Sequence, residues 1–203
     1  ERWIDSGLSL GQLRDIRFED LLNRPPIQLD VDDIRTSLTG KVVLVTGCAG
    51  SIGSEIVRQV VGYRPTRVIG IDQAESPLAA LTLEGLGQAE GVPFTPVIGN
   101  IQDEERMRQL FEEYEPHVVF HAAAYKHVPV MEAWPREAIK TNVEGTRLLA
   151  DLASAHSVER FVMISTDKAV NPGNVMGASK RIAEMYVQAL MSRPENTTRF
   201  ITT

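Results

Sequence analysis

Wholly apolar runs alternate with helical stretches along most of this chain, and this pattern limits the fold more than any other feature. The runs lie at residues 42–45, 68–71, 93–98, 117–120, 160–164 and 199–202. Strands that are apolar on both faces belong to a sheet that is covered on both sides. Helices are predicted near residues 54–61, 77–86, 103–114, 135–156 and 175–192. The order strand, helix, strand therefore predicts an α/β fold with a doubly wound parallel sheet.

The residues before the first strand have a different character, so we predict a connector at residues 1–40 and a globular domain at residues 41–203. Within the connector, residues 18–22 are predicted to form a helical turn, and residues 31–38 a helix ended by Gly40. Residues 199–202 form a predicted strand with nothing after it. Since a compact domain seldom stops inside its own sheet, we expect a fragment truncated before the substrate-binding part, without turnover by itself.

Composition excludes several classes of function. Of the 203 residues, 43% are hydrophobic and 24% are charged, which is typical of a soluble globular domain. The net charge of −6 argues against a nucleic-acid partner. No apolar run approaches the ~20 residues that cross a bilayer, and the amino terminus does not resemble a signal peptide. Cys48 has no second cysteine to pair with, so a cytoplasmic location is expected.

A glycine fingerprint follows the first predicted strand directly. Glycines in such a loop let the backbone turn tightly and approach a pyrophosphate, whose charge the next helix stabilises at its amino terminus. Asp72 ends the second strand, where a carboxylate binds the adenosine ribose and repels a 2′-phosphate. We therefore predict that residues 41–203 are a Rossmann-like domain that binds NAD rather than NADP; a bare tight turn is the structural alternative. The predicted cofactor residues here are Gly47, Ala49, Gly50, Ser51, Ile52, Gly53 and Asp72.

Two further strand ends are predicted to border the cofactor. Asn100 and Ile101 follow the third strand and are assigned to the adenine edge. After the fourth strand, small side chains leave room for the backbone to pass the cofactor, although they also suit plain helix packing; these are Ala122, Ala123 and Ala124. The histidines predict no metal site, because His117 and His121 would lie about 13 Å apart on one strand at ~3.3 Å per residue.

A group of reactive side chains follows the fifth predicted strand. Thr166, Asp167 and Lys168 leave the strand end together, and Met176 and Lys180 begin the next helix. With the glycine fingerprint, this arrangement resembles the extended short-chain dehydrogenases/reductases, and within them the nucleotide-sugar 4,6-dehydratases of bacterial polysaccharide biosynthesis. Met176 stands where the superfamily has its catalytic tyrosine, as in the membrane-associated branch. The resemblance also covers Asn142 and the residues around it.

The resemblance implies a three-step reaction on a hexose. NAD takes hydride from C4, water leaves across C5 and C6, and the hydride returns to C6. Asp167 would protonate the C6 hydroxyl, which requires a carboxyl pKa raised by burial, and Lys168 would remove the C5 proton. Thr166 would orient the C4 oxygen, and Lys180 would hold the nicotinamide ribose. The thioether of Met176 cannot accept a proton, so the base for the first step stays open.

The implied substrate is a UDP-N-acetylhexosamine, with Tyr125, Lys126, His127 and Asn142 assigned to its binding site. Alternatively, residues 125–127 only cap the fourth strand, and the Asp-Lys pair is a solvated turn. The resemblance further implies a homodimer through helices near residues 143–156 and 175–192, and a full-length form anchored at the cytoplasmic face of the inner membrane. The competing functions are a nucleotide-sugar 4-epimerase, which needs no elimination acid, and a noncatalytic dinucleotide-binding module.

Overall fold

The computed structural model describes residues 31–203, and its centre is one parallel sheet. The strands are β1 (Val42–Thr46), β2 (Arg67–Asp72), β3 (Phe94–Ile98), β4 (Val118–His121), β5 (Arg160–Met163) and β6 (Arg199–Thr202). They pair in the order β3-β2-β1-β4-β5-β6, and each pair is parallel. This order confirms the predicted Rossmann-like, doubly wound sheet. The helical turn predicted at residues 18–22 lies outside the described residues.

Helices connect the strands and cover both faces of the sheet. They are α1 (Val31–Leu38), α2 (Ser51–Val61), α3 (Glu75–Leu83), α4 (Glu104–Tyr114), α5 (Val128–Ala133), α6 (Pro135–Ala138), α7 (Thr146–Ala155) and α8 (Val175–Met191). Side chains cap two of the amino termini: Asp103 accepts from the Arg106 N–H at 3.0 Å, and Asn174 accepts from the Gly177 N–H at 2.8 Å. These caps fix where α4 and α8 begin.

The continuous helix predicted at residues 135–156 is wrong in detail. Its first turn, α6, runs into a π-helix at Ile139–Gly145, and only then does α7 begin. Tertiary contacts hold this wide segment: Asn142 is fully buried, and its side-chain amide donates to the Tyr125 carbonyl at 3.0 Å and to the Ser179 hydroxyl at 2.9 Å. The 3.6-residue period of apolar side chains does not reveal where the backbone hydrogen bonds change from the α-helical to the π-helical spacing. The sequence therefore predicted one regular helix.

Two apolar clusters pack on opposite faces of the sheet. On one face, Leu44 and Ile69 contact α4, α7 and α8 through residues such as Phe111 and Leu149. On the other face, Val43 and Val45 contact α2 and α3, and Leu38 of α1 joins the same cluster. Neighbouring strand residues thus point to opposite sides, and both sides are buried, as the apolar runs predicted.

The carboxyl ends of the parallel strands meet at one edge of the sheet, and the strand order changes direction between β1 and β4. In open parallel sheets, ligands bind at this switch point. The compact unit that carries this edge spans Asp33–Thr203. Within residues 31–203, no helix combines the length and apolarity needed to cross a membrane.

Candidate active site

The glycine loop (residues 47–53) lies at the end of β1 and leaves no room for a side chain at Gly47 or at Gly53. Gly47 has a φ of +67°, and a Cβ on it would come within 2.6 Å of the Ala123 backbone. A Cβ on Gly53 would lie 2.0 Å from the Gly47 carbonyl oxygen. Helix α2 begins after Gly50 without a side-chain cap, so the N–H groups of its first turn are open to an anion. The loop therefore has the shape and polarity that a pyrophosphate requires.

Asp72 closes the loop from the neighbouring strand. Its carboxylate accepts from the Ala49 N–H at 3.0 Å and from the Ala74 N–H at 2.9 Å. The backbone of Ala49 thus fixes the carboxylate instead of facing the pyrophosphate. Each oxygen of Asp72 keeps a further lone pair, which is what two ribose hydroxyls need.

A cleft runs along the strand ends and collects most of the predicted cofactor residues. Its walls also include residues that the sequence reasoning missed: Gln73, Gly99 and Thr141 among them. Thr141 carries no motif, and it reaches the cleft only because the π-helix turns it inward, where it accepts from Gln102 at 2.7 Å. The predicted residues on the walls are Gly47, Gly50, Asp72, Asn100, Ile101, Ala122, Ala123, Ala124 and Tyr125. Ser51 and Ile52 begin α2 beside the cleft, and Ile52 is 54% exposed.

The Thr-Asp-Lys turn (residues 166–168) follows β5 and is open to solvent. Asp167 contacts Lys168 Nζ at 3.2 Å and accepts from the Thr166 hydroxyl at 3.0 Å. Its side chain is 86% exposed. The hydrogen bonds from Lys168 and Thr166 lower the pKa of this carboxyl. The expectation of a pKa raised by burial is therefore wrong for the protein without substrate, because the motif places the carboxylate beside a cation and in water.

Lys180 is the buried cation of the site. It is 4% exposed, and its Nζ donates at 2.6 Å to the carbonyl of Ile164, which lies two residues before Thr166. Burial lowers its pKa to about 8, while the nearby Glu184 raises it. Lys180 is therefore held close to the turn, and its pKa lies well below the usual range of a lysine.

Met176 is a packing residue in this structure. It is 4% exposed and forms a small apolar cluster with Met131 and Ala138, against which Tyr125 packs. The sequence placed Met176 among the catalytic residues because of its position in the motif. A thioether buried in an apolar cluster neither donates nor accepts a proton, so that assignment is corrected to a structural one.

Asn142 also differs from its predicted role at the substrate. Its carbonyl accepts from the Tyr125 N–H at 2.8 Å, and its amide donates to the Tyr125 carbonyl at 3.0 Å and to Ser179 at 2.9 Å. Both amide protons are engaged and the side chain is buried. Asn142 therefore holds the segment after β4 against α8, and it has no surface to offer a substrate.

Tyr125 borders a second, more apolar cavity beside the cleft. Lys126 and His127, both exposed, line it together with the 65% exposed Trp134. Three of the four residues predicted at the substrate therefore line one cavity next to the cofactor cleft. The remaining wall consists of Val130, Met131 and Glu137.

The buried His121, close to the site, has a structural role. His121 bridges the Thr46 and Thr146 hydroxyls at 2.7 and 2.8 Å, and burial, with a smaller effect from Lys180, lowers its pKa to about 3. His121 is therefore neutral and joins β1, β4 and α7. In the part of the chain that the structure describes, no three His, Cys, Asp or Glu side chains are grouped to hold a metal ion.

This fold and this cleft define an extended short-chain dehydrogenase/reductase of the epimerase and dehydratase type. A family model described as polysaccharide biosynthesis protein matches residues 43–203. The chain belongs to this family.

Two curated relatives and one solved structure illustrate the range of the similarity. The chain is 48% identical over 181 residues to the probable polysaccharide biosynthesis protein EpsC of Bacillus subtilis, covering 89% of this chain and 30% of the relative. It is 33% identical to a UDP-N-acetylglucosamine 4,6-dehydratase (inverting) of Campylobacter jejuni, covering 81% of this chain and 48% of that enzyme. The UDP-glucose 4-epimerase of Bifidobacterium longum, solved with NAD⁺ and UDP, superposes with a TM-score of 0.70 at 26% identity, covering 79% of this chain and 52% of the epimerase. The chain thus spans about a third to a half of these proteins.

Proposed function

We propose that this chain carries the cofactor-binding and catalytic part of an NAD-dependent nucleotide-sugar 4,6-dehydratase of polysaccharide biosynthesis, acting on a UDP-N-acetylhexosamine. The observation that carries the proposal is the contact of Asp167 with Lys168 at 3.2 Å, at a strand end beside the cofactor cleft. An elimination needs an acid for the departing hydroxyl and a base for the neighbouring carbon, and this pair supplies both. The similarity to a UDP-N-acetylglucosamine 4,6-dehydratase supports the same reading.

NAD is the cofactor, and the residues present fit it. The glycine loop and the first turn of α2 would hold the pyrophosphate, Asp72 the adenosine ribose, and Lys180 the nicotinamide ribose. When bound, NAD accepts the C4 hydride and later supplies it at C6. The carboxylate of Asp72 would repel a 2′-phosphate, which makes NADP a poor substitute.

The ion pair of Asp167 and Lys168 can become an acid and a base without any added proton. In water the pair exists as carboxylate and ammonium, which are the wrong charge states for the elimination. A sugar nucleotide that covers the exposed turn removes water from both charges, and burial disfavours charged forms. One proton moving from Lys168 to Asp167 then gives a neutral acid and a neutral amine. Asp167 donates that proton to the C6 hydroxyl, and Lys168 takes the C5 proton.

A nucleotide-sugar 4-epimerase is the second candidate, favoured by the superposition on the Bifidobacterium enzyme. Epimerisation uses the same oxidation at C4 but no acid at C6. A form of the protein as long as the dehydratase relatives, incubated with UDP-N-acetylglucosamine, distinguishes the two. We expect a 4-keto-6-deoxy product that has lost one water. A C4 epimer of unchanged mass would establish the epimerase. If neither UDP-N-acetylglucosamine nor its galacto isomer gives a product, the remaining function is a noncatalytic dinucleotide-binding module.

Two substitutions test the roles within the pair. Asp167→Asn should still reduce NAD⁺ in a single turnover but stall before water leaves, so that reduced cofactor accumulates. Lys168→Met should lose exchange of the C5 hydrogen with deuterated solvent. Glu104→Gln and Lys41→Met remove one partner of exposed ion pairs elsewhere and should behave as wild type. Wild-type dehydration by Asp167→Asn, or undiminished exchange in Lys168→Met, would contradict the assignments.

We also propose that the longer protein is a homodimer at the cytoplasmic face of the inner membrane, anchored through a segment that precedes the connector. Ile182 and Met185 on α8 support the dimer, because they are 51% and 56% exposed on one of the two helices that the resemblance assigns to it. Met185→Glu should then yield monomers in analytical ultracentrifugation, and an unchanged dimer would exclude this face.

A further inference from the structure

Two consecutive residues after β5 are each held by a side chain of helix α8. Lys180 donates to the Ile164 carbonyl at 2.6 Å. One helical turn later, Glu184 accepts a short hydrogen bond of 2.5 Å from the Ser165 hydroxyl. Residues four apart on a helix lie on the same face, so the two side chains contact the same short stretch of the chain, Lys180 at a backbone carbonyl and Glu184 at a side-chain hydroxyl. That stretch leads directly into the Thr-Asp-Lys turn.

The carboxylate of Glu184 is fully engaged. While one oxygen accepts from Ser165, the other pairs with Arg181 at 3.1 Å, and the side chain is only 13% exposed. A charged acceptor forms shorter and stronger hydrogen bonds than a neutral one. The polar side chains of the Thr-Asp-Lys turn are exposed and contact one another. Its backbone packs against the start of α8, where a Cβ on Gly177 would lie 2.4 Å from the Lys168 carbonyl oxygen. The position of the turn therefore depends on this contact and on the residues before the turn, which Lys180 and Glu184 hold.

We propose that Glu184 is a positioning residue of the dehydratase site, which holds the Thr-Asp-Lys turn in place relative to Lys180 through Ser165. The proposal rests on the proposed function for its catalytic consequence. Its structural part, the link between Glu184, Ser165 and Lys180, is independent of which reaction the enzyme performs.

Glu184 also acts on Lys180 through its charge. The pKa of Lys180 is lowered by burial and raised by Glu184, so removing the carboxylate lowers it further. His121, on β4, stays neutral. The other charged groups on elements packed against α8 are engaged or on the surface: Lys168 with Asp167, Lys140 with Glu137, Arg147 with Asp151, Glu132 with the Val175 N–H, and Arg136, Glu144 and Arg199 exposed.

Three variants separate the two effects of Glu184. Ser165→Ala removes the hydrogen bond and leaves the charge, whereas Glu184→Gln removes the charge and keeps an oxygen that Ser165 can reach. Ser165→Thr retains a hydroxyl and should restore what Ser165→Ala loses. Glu104→Gln, which breaks the exposed pair with Arg108 on α4, is the matched control. Thermal unfolding followed by circular dichroism verifies that each variant is folded.

The measurements are the rate of NAD⁺ reduction in a single turnover with UDP-N-acetylglucosamine, and the titration of the Lys180 side chain by NMR with ¹³C-labelled lysine. The protein is tested in a form as long as the dehydratase relatives. In that form, the rate of NAD⁺ reduction by Ser165→Ala should be lower than the wild-type rate by roughly tenfold or more, since small displacements of reacting groups are costly. Its Lys180 midpoint should not change. Glu184→Gln should lower the Lys180 midpoint and shift the alkaline limit of the pH–rate profile to lower pH.

A Ser165→Ala protein that reduces NAD⁺ at the wild-type rate overturns the proposal. If the wild-type protein itself reduces no NAD⁺ with either UDP-N-acetylhexosamine, the proposed function fails instead. The NMR titration still decides the link in that case: an unchanged Lys180 midpoint in Glu184→Gln refutes it, and a lowered midpoint supports it.

Discussion

Replacing Lys180 by methionine should stabilise the protein near neutral pH while weakening cofactor binding. The folded protein lowers the pKa of Lys180 from 10.5 to about 8. At 1.36 kcal/mol per unit, keeping the buried ammonium charged at pH 7 costs about 3 kcal/mol. The variant also loses the hydrogen bond to the Ile164 carbonyl, which contributes ~1–3 kcal/mol. The net gain in unfolding free energy at pH 7 is then about 0–2 kcal/mol. Cofactor binding weakens because the cation proposed to hold the nicotinamide ribose is gone.

The pH dependence of the difference in unfolding free energy between Lys180→Met and the wild type is the sharper test. Between pH 8 and 10.5 the unfolded chain binds a proton at Lys180 that the folded protein has released, so the wild type gains stability as the pH rises. The difference in unfolding free energy between Lys180→Met and the wild type should therefore shift by about 2.5 kcal/mol in favour of the wild type from pH 7 to pH 10, which makes the wild type the more stable protein at pH 10. Urea unfolding of both proteins at pH 7, 8, 9 and 10 measures it. Lys41→Met, at the opposite edge of the sheet, is the control that should show no such trend. A difference independent of pH would refute the reasoning.

Three other predictions concern the cofactor cleft and its surroundings. Gly47→Ala should lose about 2 kcal/mol or more beyond Gly91→Ala in urea unfolding, because both positions have positive φ but only Gly47 would also place its Cβ against the Ala123 backbone; equal losses would contradict the close approach. Calorimetry should show that the chain binds NADH more tightly than NADPH, and Asp72→Asn should bring the two affinities closer together. Equal affinities in the wild type would contradict the role of Asp72 in excluding a 2′-phosphate. The Cys48 thiol, whose pKa burial raises to about 12, should react with a disulfide reagent only as fast as the protein unfolds, and rapid labelling of the folded protein would contradict its burial.

The sheet and the glycine loop could be predicted because local sequence determines them. Apolar runs such as residues 42–45 have few alternatives to a buried parallel strand, and Gly47 needs a positive φ that few other residues adopt. Asp72 was located by its place at the end of the second predicted strand and by its distance from the loop. These features depend on neighbours in sequence or on a strand beside them.

The rest of the site depends on partners distant in the chain. Asn142 looks like a substrate ligand until its amide is seen engaged with Tyr125 and Ser179. The exposure of Asp167 follows from how β5 ends, which its own sequence does not specify. Glu184 carries no motif visible in a single sequence, since its role arises only when α8 lies against Ser165. Each of these residues needed three-dimensional contacts to be interpreted.

The burial of Met176 constrains how this enzyme could change. Its neighbours Met131 and Ala138 form an apolar cluster that suits a flexible thioether. A tyrosine at this position would bring a hydroxyl into that cluster, where an unpaired polar group costs ~1–3 kcal/mol. A single substitution of Met176 by tyrosine therefore carries a cost in stability unless Met131 and Ala138 change with it.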